Sequence, residues 1–246
     1  MKQNKYDNTL FLSEYEKMTR SIEGLEGAGE WPVFKALLPD LKDKRVLDLG
    51  CGIGWHCRYA REQDASSVVG VDISENMLRK AREQTDDPLI TYIKTPIEDI
   101  HFQEKEFDVV ISSLAFHYIP SFNNLCEKVQ HYLQPGGSFI FSVEHPIFTS
   151  REEQDWHYDS RGNRVHWPVD HYQSETIRET NFLTENVMKY HRTFSTYIND
   201  VIQAGFIIKA VKEPMASEEM INQNPDMKDE NRRPMFLIIS AEKVAN

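Results

Sequence analysis

From residue 44 to residue 145 the apolar residues of this chain switch back and forth between two rhythms. Short apolar runs at residues 44–49, 67–71, 90–94, 107–114 and 138–143 read as strands. Between them apolar positions recur every three or four residues. Residues 55–63 follow the first run as a helix. Ser74 can cap a second helix that reaches about residue 84, with Met77, Leu78 and Ala81 on one face. A third carries Leu125, Val129 and Leu133 and is broken at Pro135-Gly136-Gly137. Strands alternating with helices at this interval mean an α/β chain, a Rossmann-like doubly wound and mostly parallel sheet.

The regularity ends at Pro146. Residues 146–172 are rich in Trp, His, Asp, Arg and Tyr without a clean period, which suits a lid-like insertion better than a connector. Residues 176–182 and 187–193 can pair as a hairpin across 183–186. A helix is expected over 196–204 with Gly205 as its stop, and last strands over 206–211 and 235–240. Residues 217–233 form a second long polar excursion. Ahead of the first strand, Tyr6, Phe11, Tyr15 and Met18 recur at roughly helical spacing and lead to Arg20. We expect one domain over 1–246, divided into N-terminal covering helices (1–43), a ligand-binding core (44–145), a cap insertion (146–192) and a closing segment (193–246).

Composition narrows the function. With 246 residues and 40% hydrophobic content, the chain can fill a substantial core. A net charge of −11 disfavours nucleic-acid backbones and anionic membranes, which are gripped by clustered Lys and Arg. No apolar run approaches the ~20 residues of a membrane helix, and the first residues lack the apolar stretch of a signal peptide. Cys51, Cys57 and Cys126 contain no Cys-x-x-Cys pair, so a reducing cytoplasm is the expected setting. Oligomeric state has no readable signal.

The chemistry concentrates at residues 46–54, Val-Leu-Asp-Leu-Gly-Cys-Gly-Ile-Gly, and at Asp72, eighteen residues past the last glycine. Gly50, Gly52 and Gly54 remove side chains where backbone must approach a ligand, and the helix beyond offers unpaired N–H groups. A dinucleotide fingerprint has Gly-x-Gly-x-x-Gly, but its sixth position here is Trp55. Asp48, two residues before the first glycine, would repel a pyrophosphate and suits an ammonium or sulfonium. Asp72, closing the second strand, can accept hydrogen bonds from both hydroxyls of a ribose.

This pattern resembles the class I S-adenosylmethionine-dependent methyltransferases, particularly their broad small-molecule (type 11-like) group. The likeness covers roughly residues 44–145 and includes Phe107-Asp108-Val109-Val110-Ile111-Ser112-Ser113-Leu114 and Leu133-Gln134-Pro135-Gly136-Gly137. It implies a seven-stranded sheet with an antiparallel last strand and a cap after strand five. It implies S-adenosylmethionine as cofactor, with S-adenosylhomocysteine as product. Asp48, Gly50, Gly52 and Gly54 then fall at the methionine part, Asp72 at the ribose and Ile73 beside the adenine, with Cys51 and Met77 as further expected cofactor contacts. Ser113 and Leu114 at the fourth strand end complete the expected contacts. Where the family often has Asp after the third strand, this chain has Pro96, so adenine recognition would pass to Ile97 and to Glu98 or Asp99; the other reading of these acids is a solvated loop. Tyr15 and Arg20 are expected to cover the cofactor, Arg20 as a partner for its carboxylate; the alternative is a helix that only packs on the sheet.

Methyl transfer asks the protein mainly for alignment and exclusion of water, plus a base where the acceptor carries a proton. His117 after the fourth strand and His145 after the fifth are the candidate bases, against a wall-forming role for each. Trp156, His157, Tyr158, Arg161, His166, Trp167, His171, Tyr172, Tyr190, His191 and Arg192 suit a pocket for a small-molecule acceptor, or equally a packed cap. No metal site is expected. Two other classes share the motifs: a nucleotide-dependent oxidoreductase, which the glycine spacing and Asp48 disfavour, and a non-catalytic cofactor-binding protein.

Overall fold

The computed structural model describes residues 3–245. The helices are α1 (Thr9–Tyr15), α2 (Thr19–Ile22), α3 (Trp31–Lys35), α4 (Trp55–Glu62), α5 (Glu75–Glu83), α6 (Phe122–Tyr132), α7 (Pro146–Thr149), α8 (Phe194–Gln203), α9 (Glu218–Gln223) and α10 (Met227–Glu230). The strands are β1 (Arg45–Leu49), β2 (Ser67–Asp72), β3 (Ile90–Lys94), β4 (Phe107–Ser113), β5 (Leu133–Glu144), β6 (His157–Tyr158), β7 (Arg164–His166), β8 (Ile177–Phe182), β9 (Thr184–Tyr190), β10 (Phe206–Lys212) and β11 (Phe236–Lys243).

Seven strands form one sheet in the order β10-β11-β5-β4-β1-β2-β3. Strand β11 runs antiparallel to both neighbours, and β1 to β5 pair in parallel. The chain steps outward from β1 through β2 to β3, then returns to place β4 on the other side of β1. That reversal opens a crevice at the C-terminal ends of β1 and β4, where open α/β sheets receive ligands. The hairpins β6-β7 and β8-β9 stand as separate two-stranded sheets.

Alternation along the strands sends side chains to a core on each face. Leu47, Leu49, Phe139 and Phe141 join Phe116 and α6 on one side; Val46 and Ile140 join Trp31, Phe34 and α4 on the other. Helix α6 buries Phe122, Leu125, Cys126, Val129 and Tyr132, one face at three- and four-residue spacing, and Ser121 caps it by accepting the Asn124 N–H. Truncating Phe122 or Phe141 to Ala would cost about 3–5 kcal/mol.

Local chemistry moves several boundaries. The expected leading helix is three pieces, a short 3-10 turn at Lys5–Asp7 followed by α1 and α2, because Asn4 and Asn8 each cap a new start. Strand β5 begins at Leu133, ahead of the Pro-Gly-Gly break, since Leu133 already pairs with Phe107 and a bulge follows. In the second hairpin the reversal is Leu183 alone, at φ 61°, and not a four-residue loop. Helix α8 starts at Phe194 because Thr193 accepts the Thr196 N–H, so β9 ends at Tyr190.

Candidate functional site

The glycine turn leaves β1 with Gly50, Gly52 and Gly54 all at positive φ (79°, 53° and 81°). The Gly50 and Cys51 N–H groups both donate to Val71 O, fastening the turn to β2. A side chain at Gly50 would run into Ala115, whereas a Cβ at Gly52 would meet nothing within 4 Å. The turn is thus packed at its first glycine and open at its second. Asp72 faces it from the end of β2. Its Oδ2 accepts the Gly52 N–H at 2.9 Å, and its Oδ1 accepts the Ser74 N–H at 2.8 Å. Burial pushes the Asp72 carboxyl up, with these N–H groups opposing.

Gly50, Gly52 and Asp72 open onto a cavity of about 460 Å³, the size range of sites that enclose small molecules. Ile73 and Met77 line it from the start of α5, and Ile97 and Glu98 from the 3-10 turn after β3. Ser113, Leu114 and His117 line it beyond β4, and Tyr15 and Arg20 from the N-terminal segment. Leu114 holds φ 54°, and its N–H reaches Ser142 O on β5. From α6, Lys128 Nζ donates to Glu98 O at 2.5 Å and the Tyr132 hydroxyl to Ile100 O at 2.9 Å, fixing the 97–100 backbone. Arg20 is ion-paired with Glu30, which is nearly without exposed surface and also accepts from Ser113.

Other expected site residues stand elsewhere. Asp48 is buried beneath the turn, because strand alternation points it to the α4 face, where it accepts the Cys57 thiol hydrogen at 3.3 Å. Burial pushes its carboxyl up to about 7. Cys51 packs on the same side against Gly70, and Gly54 serves as the left-handed N-cap of α4. None of the three lines the cavity. Neither does His145: its Nδ1 accepts the Ile147 N–H to cap α7, and its Nε2 meets Glu213 at 2.9 Å. Most aromatics of the insertion pack among themselves and against neighbouring segments. Trp156 and Trp167 enclose the Arg233 guanidinium with Phe148, and His191 Nδ1 bonds the Thr149 hydroxyl. Tyr190 alone of that expected set reaches the cavity wall.

His117 is 2% exposed, and burial brings it down to about 4, with nearby Glu144 opposing and Lys189, Arg192 and Arg20 adding to the fall. Its Nδ1 lies 3.5 Å from the Glu144 N–H. With Nδ1 accepting, the neutral ring carries its proton on Nε2, which makes His117 a donor and a poor base at neutral pH. Glu144 ends β5 on the cavity wall, and Lys189 of β9, with no exposed surface, donates to its Oε1 at 2.6 Å. Burial pulls the Glu144 carboxyl up; Lys189 and His117 outweigh it and hold the group below the usual carboxylate range.

The sequence profile of the methyltransferase domain family matches residues 47–141. An uncharacterized protein of Haemophilus influenzae is 37% identical over 246 residues, spanning 97% of this chain and 96% of its own. Among solved structures, a putative S-adenosylmethionine-dependent methyltransferase from Listeria monocytogenes is 52% identical with a TM-score of 0.85, covering 89% of this chain and 99% of that one. The chain belongs to the S-adenosylmethionine-dependent methyltransferases. A member from Mesorhizobium loti is 43% identical at a TM-score of 0.84, covering 89% of this chain and all of its own.

The cofactor of this methyltransferase is S-adenosylmethionine, and the open space at Gly52 beside the half-buried Asp72 carboxylate fits a ligand that brings both backbone contact and hydroxyl groups. Residues with no sequence signal complete the surroundings. Asp7 accepts hydrogen bonds from the Ser74 hydroxyl (2.6 Å) and the Asn76 N–H (3.0 Å), tying the N-terminal segment to α5. Gln3 and Lys5 donate to Asn186 O and Glu185 O on β9, so the same segment spans to the second hairpin. Lys189 shares the inward face of β9 with Val187, but its charge hides it from a hydropathy reading. Among the described residues, no three His, Cys, Asp or Glu side chains gather as metal ligands, and no helix is long and apolar enough to cross a membrane.

Proposed function

We propose that this methyltransferase acts on a small-molecule acceptor inside the 460 Å³ cavity, with residues 146–192 as the acceptor cap of a single domain. When bound, S-adenosylmethionine supplies a methyl group already activated by sulfonium, so the protein's work is to hold, align and dry the two partners. Asp72 keeps lone pairs beyond its two N–H bonds and takes the ribose hydroxyls. Gly50 and Gly52 admit the methionine part; Ile73, Met77 and Ile97 flank the adenine, with Glu98 at its polar edge. Arg20 has five donors, enough to keep Glu30 and still meet a carboxylate, under the cover of Tyr15. Ser113 and Leu114 close the side next to β5. His117 contributes a neutral wall and a hydrogen-bond donor in place of a base.

The observation that carries this reading is Gly52, whose missing side chain leaves open cavity while its N–H is held by Asp72. The test is calorimetric titration with S-adenosylhomocysteine, followed by radiolabelled methyl transfer to a metabolite panel. Wild-type protein should bind and transfer, and Asp72→Ala should lose both while keeping its circular dichroism. Saturable methylation of protein-free RNA would refute the small-molecule acceptor.

A further inference from the structure

Where β5 and β9 meet the turn after β4, the cavity offers a donor and no base. His117 lines this wall with 2% of its surface exposed, and its Nδ1 accepts the Glu144 N–H at 3.5 Å, which leaves the neutral ring's proton on Nε2. Nε2 is neither bonded within the protein nor closed off by it, so its N–H is left for whatever shares the cavity. The groups around it take up no proton near pH 7. Glu144 gives Oε1 to the Lys189 ammonium at 2.6 Å, has Oε2 shut inside the wall, and is held below the usual carboxylate range. Burial pushes the Tyr6 and Tyr118 hydroxyls up from their ordinary range, so both stay protonated. An alcohol, an ammonium or a carbon acid would find nothing here to take its proton. Resting on the methyltransferase reading of this cavity, we propose that the acceptor is a carboxylate on an apolar body, held through one oxygen by the His117 Nε2–H, and that the product is a methyl ester.

Charge and wall chemistry fit that class. A carboxyl group is already ionised at neutral pH. Methylating it forms one C–O bond as the S–C bond of the donor breaks, which leaves a neutral ester and a thioether and releases no proton. The charge of Glu144 is matched by Lys189, and that of Arg20 by Glu30. Arg192, buried behind the turn that carries His117, donates to Phe116 O and Ile119 O and touches no carboxylate among the described residues. A cation therefore stands behind the ring that donates. The other acids of the cavity, Asp72, Glu98 and Asp99, stand at the cofactor end, where β2 stops and on the turn after β3. Ile119, Phe182, Met188 and Tyr190 give the acceptor end an apolar and aromatic wall, which suits a hydrocarbon or aryl body.

The test uses three probes with one body and different heads: 3-phenylpropionate, 3-phenylpropionamide and 3-phenylpropylamine. Each is titrated calorimetrically into the full chain saturated with S-adenosylhomocysteine. The acid should bind about tenfold or more tighter than the amide, with the amine weakest. An amide or amine equal to the acid, or no retention of any probe, overturns the proposal. His117→Phe keeps a flat ring without the N–H and should erase the acid preference, and His117→Gln returns a donor and should recover part of it. Acid preference surviving in a folded His117→Phe protein also overturns the proposal. A second readout needs no variant. Radiolabelled methyl transfer to a panel of arylalkanoic and fatty acids should give label that mild alkali releases as methanol, the signature of a methyl ester. Alkali-stable label, or transfer to no acid of the panel, overturns the proposal. Failure of wild-type protein to bind S-adenosylhomocysteine would instead sink the cavity's assignment; normal binding without acid preference sinks only this inference.

Discussion

Asp7 accepts the Ser74 hydroxyl hydrogen at 2.6 Å, so an N-terminal carboxylate sits on the very residue that caps α5 and follows Asp72 by two. Burial pulls the Asp7 carboxyl up, but the donors at Ser74, Asn76, Asn4 and Glu75 outweigh it and hold the group below the usual carboxylate range. A depressed acid contributes stability above its unfolded pKa and loses it as pH falls through the folded value. Asp7→Ala should weaken S-adenosylhomocysteine binding by about tenfold, in line with loss of a charged hydrogen bond, and should lower Tm slightly at neutral pH. Calorimetry and a melting curve separate the two effects. The wild-type advantage over the variant should fade as pH falls below the ordinary carboxylate range and Asp7 takes up its proton.

The first two glycines of the turn should answer oppositely to the same substitution. Gly52→Ala places a methyl group in open cavity at φ 53°, so the fold should survive with a penalty of about 1 kcal/mol while cofactor binding collapses. Gly50→Ala drives a methyl into Ala115 and should lower Tm markedly. Parallel melting and titration of both variants decide this. Equal binding loss with equal destabilisation would contradict the distinction.

Asp48 supplies a stability profile with the reverse sign. Its folded pKa is about 7 because burial disfavours the charge, against about 3.9 in an unfolded chain. Between those values the folded state holds a proton that the unfolded state lacks, so stability falls as pH rises through that window. Asp48→Asn should be more stable than wild type above pH 7, by up to about 4 kcal/mol, and the gain should vanish below about pH 4. Urea melts across that range give the test.

The two histidines should separate as well. His145→Ala removes the cap of α7 and its tie to Glu213, costing about 1 kcal/mol of stability and leaving cofactor affinity intact. His117 titrates near pH 4 in the fold, so the kcat/KM profile should lack an inflection near 6.5 attributable to it. His117→Asn should leave the shape of that profile above pH 5 unchanged.

How far the sequence could be read depends on whether a signal is local. Period, glycine spacing and Asp72 express backbone constraints within about twenty-five residues, so the sheet, its order of elements and the turn were legible from them. Asp48 shows the limit: its position in the motif is local, but which face it takes follows from strand alternation against α4, and that face is core. Lys189 and Arg178 show another. On the second hairpin the inward face is polar, with Arg178, Thr180 and Lys189 buried while Ile177 is 45% exposed, so hydropathy reads the hairpin inside out. Arg178 is buried because it donates to Ser150 O, twenty-eight residues back, and to His171 O and Ser174 O in the irregular loop before β8, none of which a periodic pattern marks. Glu144 was visible as a strand end, but its partner forty-five residues on was not.

The N-terminal segment holds α5 through Asp7 and the β8-β9 hairpin through Gln3 and Lys5, by hydrogen bonds that are exposed or half-buried. Bonds of that kind are each worth about 0.5–1.5 kcal/mol in water, enough to keep a latch shut for most of the time and too little to keep it shut for long. Donor and acceptor would then share one door, opening on the microsecond-to-millisecond scale of such loops. Turnover in this enzyme should be timed by residues that never touch the reacting atoms.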